Sequence, residues 1–194
     1  MINVVHPFYK TEYLIKSYYE SSQLLCNELK MTNHDLLVLI KESLAYEIKK
    51  EDYKLSLLTQ QSIDGFLNFE KDNIVKTLSA FEMDYNILKE LKLRINPYAK
   101  FVESPFVFNI SDGKRLFFRN MSVAYCFIPK ILATNELRID EYPILGPLKF
   151  LLKIKDMHTS FTISQLINST SIQKTDILVR RVKKMMLNQL LIID

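Results

Sequence analysis

With 194 residues, 48% of them hydrophobic and 25% charged, the chain has the composition of a globular protein of one large or two small domains. Three glycines (Gly65, Gly113, Gly146) leave no glycine-rich phosphate loop, no apolar run approaches the roughly 18 residues of a membrane span, and Met1–Tyr9 lacks a secretion-signal layout, so a soluble, cytoplasmic protein with no membrane partner is expected. The net charge of +4 is uneven: from Pro143 onward eight Lys or Arg stand against three Asp, a local +5 and the strongest pointer to nucleic acid.

The first half reads as four helices. Leu14, Tyr18, Ser21, Leu25 and Leu29 make one apolar stripe; Leu36, Ile40, Leu44 and Ile48 make the next, opened by Thr32 or Asn33 as a cap. Leu55, Leu58, Ser62, Phe66 and Phe69 follow less regularly. Ile74, Leu78, Phe81, Tyr85 and Leu88 form the most regular stripe, so this face is expected to be buried. Asn96-Pro97 ends the fourth helix, because the residue before proline is pushed out of the helical region, and marks a domain boundary.

Strands follow. Phe106–Ile110 and Lys114–Arg119 alternate about Ser111-Asp112-Gly113, so a hairpin would put Phe106, Phe108, Ile110, Leu116 and Phe118 on one face. Met121–Ile128 reads as a third strand ended by Pro129, and Asn135–Glu141 as a polar connection. Pro147 opens a helix carrying Leu148, Leu151 and Leu152. Thr162 caps a short helix with Ile163, Leu166 and Ile167; Ser169-Thr170-Ser171 supplies a turn; Gln173–Leu187 is a longer helix with Leu178, Val182, Met185 and Met186 on one face. This is a helix-turn-helix of winged-helix pattern with no wing after Leu190-Leu191-Ile192, so the sheet that completes it is expected upstream, in the Phe106–Arg119 hairpin. The fold class is α+β: an N-terminal all-α domain, residues 1–96, then a β-β-β-α-α-α winged-helix-like domain, residues 97–194, lacking a C-terminal wing.

Catalytic chemistry is hard to find. His6, His34 and His158 fall in separate elements without a ligand spacing, Cys26 and Cys126 are best read as reduced, mostly buried thiols, and no nucleophile motif or carboxylate pair stands out. No catalytic, cofactor or metal residue is assigned, and the chain is not expected to be an enzyme on its own.

Three strands followed by three helices, the helix-turn-helix last, resembles the peptide-recognition element of machinery that modifies ribosomally made peptides. Leu14–Leu29, with Lys16-Ser17-Tyr18-Tyr19 and a cysteine, Cys26, seven residues after the second aromatic, is similar to the first helix of the MbnC-type partner subunits of methanobactin biosynthesis; length and domain order fit as well. The resemblance implies a non-catalytic subunit that forms a heterodimer with an iron-dependent oxygenase (MbnB-type). That partner carries the iron and converts cysteines of a precursor peptide to oxazolone and thioamide groups of a copper chelator. It also implies that the peptide's leader adds as a strand along Ser122, Val123, Ala124, Tyr125, Cys126 and Phe127, in a groove closed by Ile177, Leu178, Arg181 and Lys184. Leaders of this family are rich in lysine, whereas the last helix here is basic. Either Glu103, Asp112, Glu136, Asp140 and Glu141 face the leader, or the basic face points elsewhere. The competing reading is a winged-helix DNA-binding regulator with Lys174, Arg180, Arg181, Lys183 and Lys184 on phosphates, although nucleic acid is the less expected partner. A third is a structural adaptor that binds a folded protein through its helical half.

Overall fold

The computed structural model describes residues 7–111, 115–132, 136–155, 160–169 and 175–194, which form a mixed α+β protein. Two compact units emerge, and neither is a continuous stretch of chain. One comprises the chain up to Ser56 together with Val102–Tyr125; the other comprises Leu57–Phe101 and Cys126–Asp194. The division therefore does not fall at Asn96-Pro97. That dipeptide is stitched into the second unit: Asn96 is buried, its N–H donates to Leu190 O at 3.2 Å, its Nδ2 donates to Gln189 O at 2.9 Å, and its Oδ1 accepts from Tyr98 N at 2.8 Å. Proline interrupts a local conformation, and here it does so inside a unit.

In the first unit, α1 (Tyr9–Leu29) ends with Lys30 in the left-handed region at φ 54°, and α2 (Asn33–Leu57) begins with a reciprocal cap. Thr32 Oγ1 accepts from Asp35 N at 3.2 Å while the Asp35 carboxylate accepts from Thr32 N at 3.0 Å and its hydroxyl at 2.7 Å. The buried face of α2 is Leu36, Leu39, Ser43, Tyr46, Glu47, Lys50 and Tyr53, whereas Leu44 and Ile48 are exposed. The expected Leu36–Ile40–Leu44–Ile48 stripe is corrected accordingly. Glu47 shows why a charged residue lies inside. Fully buried, it accepts the N–H groups of Lys10 (2.8 Å) and Thr11 (3.0 Å) and the Thr11 hydroxyl (2.7 Å), closing the start of α1. Lys10 Nζ sits 4.7 Å from the centre of the Tyr46 ring, which meets Tyr125 edge-on at 5.2 Å.

In the second unit, α3 is one continuous helix, Gln60–Glu82, followed by a single turn, α4 (Tyr85–Leu88), whose N-cap Asp84 accepts from Asn86 N at 2.8 Å. The expected fourth helix is thus the second half of α3 together with α4, and most of its stripe is turned outward: Ile74 is 44% exposed and Leu78 59%, Tyr85 is exposed, Phe81 is half-buried, and Leu88 alone is fully buried; Val75, beside the stripe, is 64% exposed. The buried face is Phe66, Glu70, Asn73, Thr77 and Ala80. Glu70 Oε1 accepts from Ile131 N at 3.3 Å and Gln189 Nε2 at 3.4 Å, and Phe66 and Phe69 pack on the Tyr98 ring at 5.1 and 5.0 Å.

Two sheets are present among the described residues. In the first, β1 (Leu93–Ile95) pairs antiparallel with β5 (Leu191–Ile193), Arg94 opposite Ile192, while Leu93 exchanges backbone hydrogen bonds with Phe161 at 2.7 and 2.8 Å. The strand that pairs with the chain's last segment is therefore β1, and the Phe106–Arg119 hairpin does not fill that place. In the second, of order β2-β3-β4, β2 is Lys100–Ser111, β3 is Arg115–Ile131 and β4 is Leu137–Pro143. The connections are too short for anything but antiparallel pairing. β3 passes through Met121 and Pro129 without a break, and the third strand forms where a polar connection was expected, because Leu137 and Ile139 alternate inward on β4. The Asp112-Gly113 turn and the Thr170–Lys174 connection lie outside the described residues, as do the side chains of Phe108, Ile110, Leu116 and Phe118. After a 3₁₀ turn at Gly146–Lys149 come α5 (Phe150–Ile154), α6 (Ile163–Ser169) and α7 (Thr175–Leu187). Thr162 caps α6 as expected: its Oγ1 accepts from Gln165 N at 3.1 Å and its N–H donates to Gln165 Oε1 at 2.8 Å.

Between β3 and β4, Asp140 accepts from Lys130 Nζ (2.8 Å) and Arg138 Nε (2.7 Å), with the Tyr142 hydroxyl at 3.2 Å. Burial pushes the Asp140 carboxyl up, but the Lys130 and Arg138 cations outweigh it and hold the group below its ordinary value. The stabilisation is therefore full at neutral pH and is lost as pH falls through that lowered value. Comparing melting temperatures of the wild type and Asp140→Asn from pH 7 down to about pH 3 checks this: the gap between them should narrow as the wild-type carboxyl protonates. A gap that stays constant over that range would remove the ion pair from the account.

Candidate functional site

The described cavity of interest is a groove of about 510 Å³ within the first unit, lined by Met31, Asp35, Val38 and Glu42 on one side and by Glu103, Ser104, Pro105, Phe106 and Ser122 on the other. Asp35, Val38 and Glu42 are three and four residues apart, so one face of α2 delivers all three. That face lies outside the helix's buried stripe. On β2, Glu103 and Pro105 point outward while Ser104 and Phe106 are buried, the alternation of a strand with one wet face.

Three carboxylates and no Lys, Arg or His line the groove. The hydrogen bonds from Thr32 hold the Asp35 carboxyl below its ordinary value, which favours its charged form. Glu42 and Glu103 have no ion pair among the described residues. Met31, Val38, Pro105 and Phe106 add an apolar floor. Such a surface accommodates a lysine or arginine side chain, with the methylene stem on the apolar residues and the cation at the carboxylates.

Strand addition on β2 is weakened beside the groove, where Pro105 has no N–H to donate. Ser104 engages the next residue: its Oγ accepts from Phe106 N at 3.2 Å and donates to Phe106 O at 2.9 Å. The β3 edge differs. β3 has 17 residues and β4 only seven, so β4 cannot cover most of its length. Leu132 N donates to Glu136 O at 3.0 Å, which places β4 alongside the C-terminal end of β3. β4 does not reach the N-terminal part of β3, including Met121–Ala124, which has no strand neighbour on that side among the described residues, and Ser122 is exposed there.

The sequence-derived positions separate accordingly. Ser122 lines the groove; Val123 and Tyr125 are buried and Ala124 half-buried, all in the first unit. Cys126 and Phe127 belong to the second unit and are fully buried, and β4 runs beside that part of β3, so the expected edge along Ser122–Phe127 is not open over its whole length. Burial pushes the Cys126 thiol up to about 12, and Cys26, also buried, donates to Asn33 Oδ1 at 3.2 Å; both are free. Of the α7 positions, all in the second unit, Ile177 and Lys184 are exposed, Arg181 half-buried and Leu178 buried. Of the acidic positions, Glu103 lines the groove, Asp140 is neutralised by Lys130 and Arg138, Glu136 is exposed, Glu141 is engaged within the fold, and Asp112 lies outside the described residues. The α2 residues of the groove do not emerge from the sequence alone. Their signal is a mixed face, Asp35-Val38-Glu42, on a helix whose buried stripe is itself partly polar.

No protein family, curated protein or solved structure matches this chain. Among the described residues no three His, Cys, Asp or Glu side chains are grouped so as to hold a metal ion, and no helix is long and apolar enough to cross a membrane.

Proposed function

We propose that this chain is a non-catalytic partner subunit that binds the leader of a ribosomally made precursor peptide and presents it to an iron-dependent oxygenase, which converts the peptide's cysteines to oxazolone and thioamide groups. The observation that carries the peptide-binding part is Ser122: it lies in the stretch of β3 that β4 leaves uncovered and also lines the acidic groove. An extended peptide would gain main-chain hydrogen bonds from the β3 edge and selectivity for basic side chains from Asp35, Glu42 and Glu103. The oxygenase, its iron and the chemistry on cysteine rest on the resemblance of Leu14–Leu29 and of the domain order to MbnC-type subunits.

The winged-helix part of the reading is supported by the small sheet. Phe161, between α5 and α6, bridges to β1, and β1 pairs on with β5 after α7, so β1 takes the place a returning wing strand would occupy. The same arrangement favours the second reading, a DNA-binding regulator, together with the exposure of Arg180 and Lys184 on α7. Lys183 is less free, with its Nζ 5.3 Å from the centre of the Phe81 ring.

A fluorescein-labelled peptide of alternating lysine and valine is the probe, with its glutamate–valine counterpart as control. The basic peptide should bind, and Glu42→Gln with Glu103→Gln should weaken it about tenfold or more, the scale of two lost charge-assisted contacts. Proline placed singly at Ser122, Val123 and Ala124 should divide into two kinds: positions whose N–H faces the open edge stay folded and lose affinity, and the others lose melting temperature because their N–H pairs with β2. Equal binding of both peptides, or full affinity in every stable proline variant, would remove this site. Nanomolar binding of one duplex sequence, lost on Arg180→Ala with Arg181→Ala, would favour the regulator instead.

A further inference from the structure

Between Phe66 and Ala80, the usual division of a helix is reversed on α3. Its buried face carries Glu70, Asn73 and Thr77, and the Asn73 amide and Thr77 hydroxyl find no hydrogen-bond partner among the described residues. Its outward face carries Ile74, Val75 and Leu78, each between 44% and 64% exposed. Burying an unsatisfied polar group costs free energy, and exposing three aliphatic side chains forgoes their burial. A helix held this way round keeps an apolar stripe available at its surface.

The charges at the ends of the stripe say what covers it. Lys71, Val75, Leu78 and Glu82 follow at spacings of four, three and four, so they run along one side of the helix, with Ile74 adjacent. All are exposed, and neither Lys71 nor Glu82 has an ion-pair partner among the described residues. The pattern is cation, apolar, apolar, anion, and it is complementary to its own reverse. Two copies of α3 laid antiparallel about a two-fold axis midway between Lys76 and Thr77 bring Val75 of each against Leu78 of the other, and Lys71 of each against Glu82 of the other.

We propose that α3 is a self-association surface and that its occupant is a second copy of this chain, packed antiparallel about that axis. An isologous interface requires a patch to match its own inverse, and a stripe with opposite charges at its two ends does so. The apolar centre supplies the attraction, and the flanking pairs set direction, since parallel packing would place Lys71 beside Lys71 and Glu82 beside Glu82. This inference stands independently of the peptide-binding reading, because no groove residue lies on α3.

Sedimentation velocity of the full chain over a concentration series reads it directly. The wild type should shift from monomer to dimer as concentration rises, and Leu78→Asp should remain monomeric. Glu82→Lys should weaken the dimer about tenfold, by setting Lys71 against a second cation, and Lys71→Glu combined with Glu82→Lys should restore it to within about threefold. The substituted side chains are exposed, and circular dichroism confirms that each variant is folded. A wild type that stays monomeric throughout overturns the proposal and leaves the stripe to a different protein. A dimer untouched by Leu78→Asp, or a charge swap that fails to restore association, overturns it as well.

Discussion

Glu47→Ala should destabilise the first unit by about 3–5 kcal/mol, on the scale of truncating a buried core side chain. The carboxylate is fully buried and accepts two backbone N–H groups at the start of α1 and the Thr11 hydroxyl, at 2.7 to 3.0 Å. Removing it strands two donors that have no preceding turn to bond, each at about 1–3 kcal/mol, and withdraws a negative charge from the positive end of a 21-residue helix. Glu47→Gln keeps one acceptor oxygen and should recover part of the loss. Urea melts give the magnitude, and amide exchange at Lys10 and Thr11 should accelerate in Glu47→Ala before the rest of the unit opens. A loss under 1 kcal/mol, or unchanged exchange at those two amides, would show that α1 does not depend on this contact.

Phe66→Ala should cost about 3–5 kcal/mol while Leu78→Ala costs under about 1 kcal/mol, a contrast that decides which face of α3 is inside. Phe66 has no solvent exposure and meets the Tyr98 ring edge-on at 5.1 Å, so truncation leaves a void and breaks an aromatic pair. Leu78 is 59% exposed, and its truncation removes surface already in water. Denaturant midpoints are best compared at a dilution where the chain is monomeric, so that association does not contribute to the Leu78 result. If Leu78→Ala proves the costlier change, the helix lies the other way round.

Where a structural decision depends on neighbours a few residues away, the amino-acid sequence settled it. Thr32 with Asp35 and Thr162 with Gln165 are reciprocal caps closed within four residues; Thr162 is an expected cap, and of Thr32 and Asn33 it is Thr32 that takes the role. The α+β class follows from the same local periodicities, but the strands do not: the second and third expected strands are the single strand β3, and β4 forms where a polar connection was expected. Long-range contacts decided the rest. Which face of α2 and α3 turns inward depends on what polar residues meet there: Glu47 is satisfied by the start of α1, and Glu70 by Ile131 and Gln189, partners 61 and 119 residues away. A hydrophobic stripe carries no record of such partners, so the most regular one, through Ile74 and Leu78, predicts a core face and yet lies in solvent. The same limit applies to Asn96-Pro97, where proline breaks the chain locally but Gln189 and Leu190 hold it in place. It applies also to the groove, whose carboxylates come from a helix and a strand some 60 residues apart and meet only because the chain returns to its first unit after leaving it.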